Sequence, residues 1–264
     1  MSDPHLLFER DGHVAIVTMN RPEARNAWSL EMMARMWDAW QEIDGDPEIR
    51  AAILTGSGGT FSSGADLKLM HGDQSDNPYH ARFKADPDLH WKAMLRHYRL
   101  CKPLIAAVEG PALGGGTEIL QTTDIRVAGR SATFGVTEAR WGLFPLGGST
   151  VRLRRQIPHT KAMELLLMAR PIPASEALQM GLIGRIVDDG EALDEALRIA
   201  HVIASNGPLA VQAIKRSAYE ADGKTEEQAL ARELELGMPV FKSLDAREGP
   251  RAFAEKRPPK FQAK

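Results

Sequence analysis

The chain holds one cysteine, Cys101, among 264 residues. No disulfide can form within it, and so little cysteine fits a reducing compartment. A small side chain beside Lys102 and Pro103, Cys101 is expected to be buried rather than to act as a nucleophile. An excess of either charge is also lacking: 33 Lys and Arg against 35 Asp and Glu leave a net charge of −2. There is no global basic field to draw nucleic acid or an anionic membrane. No apolar run approaches the ~20 residues needed to cross a bilayer, and Met1-Ser2-Asp3-Pro4-His5 has neither the basic nor the apolar region of a leader. A cytoplasmic location is expected. His71, His80 and His90 lie at spacings that match no metal-ligand pattern, so they are expected to be solvated and no metal is expected. The chain shows no fixed-period repeat and no low-complexity linker.

What is present is ordinary for a globular protein: 43% apolar and 26% charged residues. The length allows one large domain, or one domain with a helical appendage. His13-Val14-Ala15-Ile16-Val17-Thr18-Met19 reads as a strand that Asn20-Arg21-Pro22 stops. Ser29 is placed to cap a helix whose Leu30, Met33, Trp37 and Trp40 share one face, so the tryptophans are expected in the core. Further strands are expected at 51–55, 103–108, 125–128 and 184–187. Between them a glycine-rich turn, 56–59, leads into a strand-to-helix junction at 61–67. The polar stretch 71–88 reads as a long loop, and 89–100 as helical. Alternating strands and helices argue for a parallel sheet with helical crossovers. Beyond about residue 149 helices dominate, at 161–169, 175–180, 191–205, 209–220 and 225–236, with Ser175 and Thr225 as N-caps and Gly181 just past a C-terminus.

Gly114-Gly115-Gly116-Thr117-Glu118 follows the strand 103–108 and opens a helix. The first N–H groups of a helix lack internal partners, and the helix dipole adds positive charge there. Glycine lets a ligand approach that backbone closely, so the turn suits a phosphate or a developing oxyanion. The run Gly110-Pro111-Ala112-Leu113-Gly114-Gly115-Gly116 does not have the Gly-x-Gly-x-x-Gly spacing of a dinucleotide fold and comes too late in the chain. Glu118 stands three residues after Gly115 and on the same helix face. Taken alone, it could simply stabilise the first turn of a helix. Glu138, after the strand-like Ala132-Thr133-Phe134-Gly135, could be an ordinary loop carboxylate.

The ordered set of these pieces resembles the crotonase (enoyl-CoA hydratase/isomerase) superfamily over nearly the whole chain. It runs from Met19-Asn20-Arg21-Pro22 and Asn26-Ala27 through the 61–66 junction and the glycine turn. It continues with Asp124-Ile125-Arg126-Val127-Ala128, Phe134-Gly135-Val136-Thr137-Glu138 and Gly142-Leu143-Phe144-Pro145. It closes on Ala252-Phe253-Ala254-Glu255-Lys256-Arg257. The resemblance implies an α/β fold, a crotonase-like spiral of ββα units with a helical C-terminal trimerisation region. The core would span 1–200, and 201–264 would serve oligomerisation, as a trimer or hexamer, and complete the pocket.

The same resemblance implies a lyase of fatty-acid and acyl-CoA metabolism that hydrates trans-2-enoyl-CoA to 3-hydroxyacyl-CoA. The amides of Ala65 and Gly115 would hold the thioester oxygen, with Glu118 mainly activating water and Glu138 mainly protonating the α-carbon. Coenzyme A would be part of the substrate, with no separate cofactor. By motif match its contacts fall to Ala24, Arg25, Ala27, Ala65, Asp66, Leu67 and Gly114, with Phe261 in a tail that reaches a neighbouring subunit or is merely basic and disordered. Three departures stand out: Ser62-Ser63, which should matter little, the bulky Arg140-Trp141, and the long polar 71–88 segment. An isomerase, another hydroxyacyl-CoA dehydratase, or a non-catalytic acyl-CoA binder are the alternatives. Arg152, Arg154 and Arg155 are expected to form a solvated helix face.

Overall fold

The computed structural model describes residues 3–67, 72 and 75–264. In chain order its main elements are β1 (Leu6–Asp11), β2 (Val14–Met19), α1 (Leu30–Gly45), β3 (Ala51–Gly56), α2 (His80–Ala85), α3 (Leu89–Ala93), β4 (Leu104–Val108), β5 (Pro111–Leu113) and α4 (Gly115–Leu120). There follow β6 (Ile125–Gly129), β7 (Thr133–Gly135), α5 (Ser149–Gln156), α6 (His159–Met168), β8 (Ile172–Pro173), α7 (Ala174–Gln179), β9 (Arg185–Val187) and α8 (Ala192–Ala204). The last three helices are α9 (Pro208–Glu220), α10 (Glu226–Phe241) and α11 (Asp245–Ala254).

The continuous apolar runs of β3 and β4 can be buried on both faces, which is what the interior of a parallel sheet demands. They form the centre of a six-stranded sheet ordered β1-β2-β3-β4-β6-β9, parallel except for the β1–β2 hairpin. A second, smaller sheet takes one short segment from each turn of the chain. Trp28 pairs with Ala65, Ser62 with Ala112, and β5 with β7, all in parallel. Thus β2, β3, β4 and β6 are each followed by a short partner in the second layer, and the chain winds as a spiral of ββα units. On one face of the main sheet the alanines of α8, Ala192, Ala196 and Ala200, pack on Ile53, Ile105 and Val127. The small alanine side chains permit that close approach. The larger core fills the other side, where α1 contributes Met32, Met36 and Trp40.

Ser29 caps α1, its hydroxyl accepting from the Met32 amide at 3.1 Å. Thr225 caps α10 in a reciprocal arrangement with Gln228. Several expectations are corrected. The 71–88 stretch contains α2; His71 lies outside the described residues, and His80 opens that helix. The helix at 89–100 ends at Ala93, because Leu95 adopts a left-handed φ of 53°. Ser175 is inside α7 rather than its cap, a place taken by Pro173. Of the α1 face, Trp40 is fully buried but Leu30 and Met33 look into a cavity instead. Cys101 is exposed, drawn to the surface where Asp44 accepts from both its amide and its thiol. Among the described residues no helix is long and apolar enough to cross a membrane.

Asn26 pins the turn after β2 to the loop after β3. It is fully buried and left-handed at φ 52°, a conformation asparagine tolerates better than most residues. Its Oδ1 accepts from the Arg21 amide at 2.7 Å, and its Nδ2 donates to the carbonyls of Ser57 at 2.9 Å and Thr60 at 2.6 Å. Asn26→Ala would leave three half-buried main-chain groups without this partner and open a gap at a fully buried position, so a loss of about 2–4 kcal/mol is expected. A urea midpoint unchanged from the parent would contradict this account of the turn.

Candidate active site

The two ends of the second layer that matter most are Gly64-Ala65 and Gly114-Gly115. Trp28 donates its amide to the Gly64 carbonyl at 2.8 Å, and Leu113 donates to the Ser62 carbonyl at 2.8 Å. These pairings bring the segments together so closely that a Cβ on Gly64 would stand 2.6 Å from the Gly115 nitrogen. Gly64 has φ 83° and Gly114 φ 53°, so both sites favour glycine on conformation as well as space. The amides of Ala65 and Gly115 donate to no protein acceptor among the described residues. Both residues line one cavity of about 760 Å³. Ser62, expected to matter little, is fully buried and accepts from the Gly64 amide while donating to the Asn26 carbonyl. Its hydroxyl therefore helps to shape this strand end.

Glu118 and Glu138 line the same cavity. Glu118 sits in the first turn of α4, 4% exposed. Its carboxylate accepts from the amides of Gly147 at 3.0 Å and Ser149 at 3.2 Å. Burial raises its pKa above the ordinary 4.5, opposed by those two amides, the Ser149 hydroxyl and the charge of Arg152. Glu138 opens a short turn, Glu138–Trp141, after β7. Its Oε2 is buried and has no hydrogen-bond partner among the described residues. Burial first, and the negative charge of Glu118 second, push its pKa up to about 7. Two carboxyls in one pocket are thus made unequal. Glu118 has donors to steady its charge; among the described residues Glu138 has none from outside its own backbone, so near neutrality it keeps the proton longer.

The coenzyme-contact candidates form a neighbouring lip. Arg21 donates to the Ala27 carbonyl at 2.6 Å and meets Asp66 at 3.2 Å. The Ser63 amide donates to the Arg25 carbonyl at 3.0 Å, and the Ser63 hydroxyl approaches the Ala24 carbonyl at 3.4 Å. Ala24, Arg25 and Ala27 therefore stand beside Ala65, Asp66 and Leu67. Gly114 also borders the cavity, where a side chain would crowd the Glu138 carboxylate at 3.3 Å. Phe261 is not brought there by its own chain. Its carbonyl accepts from Arg50, just before β3, at the opposite end of that strand from the cavity. The tail is held in place by Asp245, which accepts from the amides of Gln262 and Ala263.

Sequence reading did not place the apolar wall, which includes Trp28, Trp91, Met94, Trp141, Phe144 and Leu146. Trp28 is 5% exposed and belongs to the core while also lining the cavity, Trp91 is half-buried against that core, and Trp141 is 65% exposed at the mouth. The only sequence signal was the unusual bulk of Arg140-Trp141. Arg154 and Arg155 are solvated as expected, but Arg152 is partly buried and its guanidinium is engaged.

Residues 9–264 match the enoyl-CoA hydratase/isomerase family. The enoyl-CoA hydratase EchA19 of Mycobacterium tuberculosis is 56% identical over 265 residues, covering 99% of this chain and 97% of that protein. The (E)-benzylidenesuccinyl-CoA hydratase of Thauera aromatica is 37% identical, covering 97% of this chain and 98% of its own. Among solved structures, an enoyl-CoA hydratase from M. tuberculosis superposes with a TM-score of 0.89 at 39% identity, covering 99% of this chain and 100% of that one.

Proposed function

The chain belongs to the enoyl-CoA hydratase/isomerase family, and on that premise we propose that it adds water reversibly to a trans-2-enoyl-CoA, giving the 3-hydroxyacyl-CoA. The observation that carries this reading is the pair of unequal carboxyls set beside two unengaged amides in one cavity. Water does not attack an isolated C=C bond readily. Conjugation to a thioester lets the electrons run to the carbonyl oxygen as water adds, forming an enolate. The amides of Ala65 and Gly115 would receive that oxygen, and one such donor is typically worth about 10²–10³ in rate.

Glu118, the better stabilised anion, would take a proton from the water that attacks the β-carbon. Glu138, the carboxyl that holds its proton, would give it to the α-carbon. Each role is worth about 10²–10⁴. After addition the proton has moved from Glu138 to substrate and from water to Glu118. A transfer between the two coupled carboxyls restores the starting state. An isomerase needs one carboxyl to carry a proton between two carbons; the second carboxyl favours hydration.

Coenzyme A would be bound as part of the substrate, its pantetheine running along the lip formed by Ala24, Arg25, Ala27, Ala65, Asp66 and Leu67. The helical region after 200 would mediate assembly as a trimer or hexamer. Leu230, Leu234, Met238 and Phe241 of α10, all exposed in the single chain, support that reading, and Phe261 would then meet a neighbouring subunit's coenzyme. The cysteine-poor composition supports a cytoplasmic location.

The direct test follows the loss of enoyl-thioester absorbance with crotonyl-CoA and a longer-chain enoyl-CoA. Turnover of at least one is expected. Tight acyl-CoA binding without turnover of any enoyl-CoA would replace the hydratase reading with that of a binding protein.

A further inference from the structure

The two donors that hold Glu118 belong to a turn that has its own support. Gly147-Gly148-Ser149 leads into α5, and Arg152, one turn into that helix, folds back over it. The Arg152 Nη1 donates to the Gly147 carbonyl at 2.8 Å, and Nη2 donates to the Leu95 carbonyl at 3.0 Å. One planar guanidinium therefore joins the turn that grips Glu118 to the end of α3, where the cavity-wall residues Trp91, on the helix, and Met94, just after it, are carried. The approach is close: a Cβ on Gly148 would stand 2.7 Å from Nη1, and the φ of 119° there also favours glycine. At Gly147 a Cβ would meet the Glu118 Oε2 at 2.6 Å and the Met94 Cε at 2.5 Å. Arg96 adds a second tie, donating to the Leu146 carbonyl at 2.7 Å.

We propose that Arg152 is a positioning residue for Glu118, holding the 147–149 turn so that its amides fix the carboxylate while joining that turn to the wall of the acyl pocket. This rests on the role given to Glu118 above. Arg152 makes no ion pair with a carboxylate within bridging distance among the described residues; its hydrogen bonds go to main-chain carbonyls. A fork of two donors at fixed angle is what arginine supplies and lysine does not. The charge matters as well. The groups facing Glu118 are Glu138, whose own proton affinity Glu118 raises, and Arg152 with the Ser149 hydroxyl and two amides, which lower that of Glu118 against the effect of burial. Arg96, Arg99 and Tyr219 face Arg152 in turn, so Glu118 is the nearby negative charge that favours its ionised form most directly.

The test compares Arg152→Met and Arg152→Lys with the parent by three readouts: the titration of the Glu118 carboxyl followed by ¹³C NMR of glutamate-labelled protein, kcat and KM for an enoyl-CoA, and thermal stability. Arg152→Met should raise the Glu118 midpoint, because a nearby positive charge and the hold on the two amides are both lost. It should lower kcat by about tenfold or more with KM changed by less than about threefold, because the carboxyl is misplaced rather than the coenzyme. Arg152→Lys should keep the midpoint within about 0.3 units of the parent, since the charge remains, yet still lose about threefold or more in kcat. A folded Arg152→Met with the parent's midpoint and kcat overturns the proposal. If Arg152→Met does not fold, a folded Arg152→Lys with the parent's kcat overturns it. The titration needs no turnover, so absence of hydratase activity in the parent would remove the functional reading while the NMR result still judges the placement of Glu118.

Discussion

Glu138→Gln is expected to lower kcat for enoyl-CoA hydration by about 10²–10⁴ while leaving KM near the parent value, because the carboxyl meets the reacting α-carbon and not the coenzyme. Glu118→Gln should cost at least as much, since glutamine cannot take the proton from water and would turn an N–H₂ group toward the amides of Gly147 and Ser149. The pH dependence gives a sharper check. In the hydration direction Glu138 must be protonated and Glu118 ionised. Activity should therefore fall on the alkaline side as the carboxyl raised to about 7 loses its proton, and on the acid side as Glu118 gains one. The apparent values belong to the pair. Initial rates as kcat/KM from pH 5 to 9 would measure this, and a flat profile with both variants active would remove the acid/base assignment.

The same shift makes a stability claim. The folded-state value of Glu138 lies above its ordinary 4.5, at about 7. Between those values the folded chain holds a proton that the unfolded chain has released, so this group's contribution to stability falls as pH rises through that window. Glu138→Gln removes a buried charge at pH 8 and should raise Tm there by at least about 2 °C, with little change at pH 4. A site that is more stable without its acid is what a functional strain of this kind requires.

Gly64→Ala carries the second large effect, although no reactive atom changes. The new methyl would stand 2.6 Å from the Gly115 nitrogen and 2.8 Å from the Leu113 carbonyl oxygen, on a backbone with φ 83°. Backbone on both sides cannot yield as a flexible side chain could, so the Ala65 and Gly115 amides must separate. Loss of their joint aim at the thioester oxygen should cost about 10²–10³ in kcat. The Glu138 titration should stay near the parent's, because that carboxyl lies on another element, in the turn after β7. A thioester infrared probe would separate this from general damage: in the parent the bound enoyl-CoA carbonyl stretch should shift to lower frequency, and in Gly64→Ala that shift should shrink. Parent-like kcat in a folded Gly64→Ala would show that the two amides do not act together.

The limits of sequence reading follow from distance along the chain. Features built by neighbours were legible. The strands Val14–Met19 and Leu104–Val108 followed from apolar, β-branched runs, and the caps at Ser29 and Thr225 from residue type at a helix start. Arg152 was misread because its helix face looks ordinary. Only the fold carries Gly147 and Leu95, separated by 52 positions in the chain, to opposite ends of one guanidinium. The end of α3 was missed for a related reason, since nothing in Leu95 itself demands a left-handed φ.

By itself the sequence determined the parallel α/β class, the glycine turn at 114–116 and the chemical types available at 118 and 138, because each depends on local conformation or on an ordered motif. Tertiary structure decided the rest. It set how near two unengaged amides stand and which tryptophans reach the pocket, and it gave one carboxyl amide donors that favour its charge while burial and a neighbouring charge favour the proton on the other. Those are matters of burial and of partners from remote segments, and proton affinity is fixed by surroundings that no single stretch of chain contains.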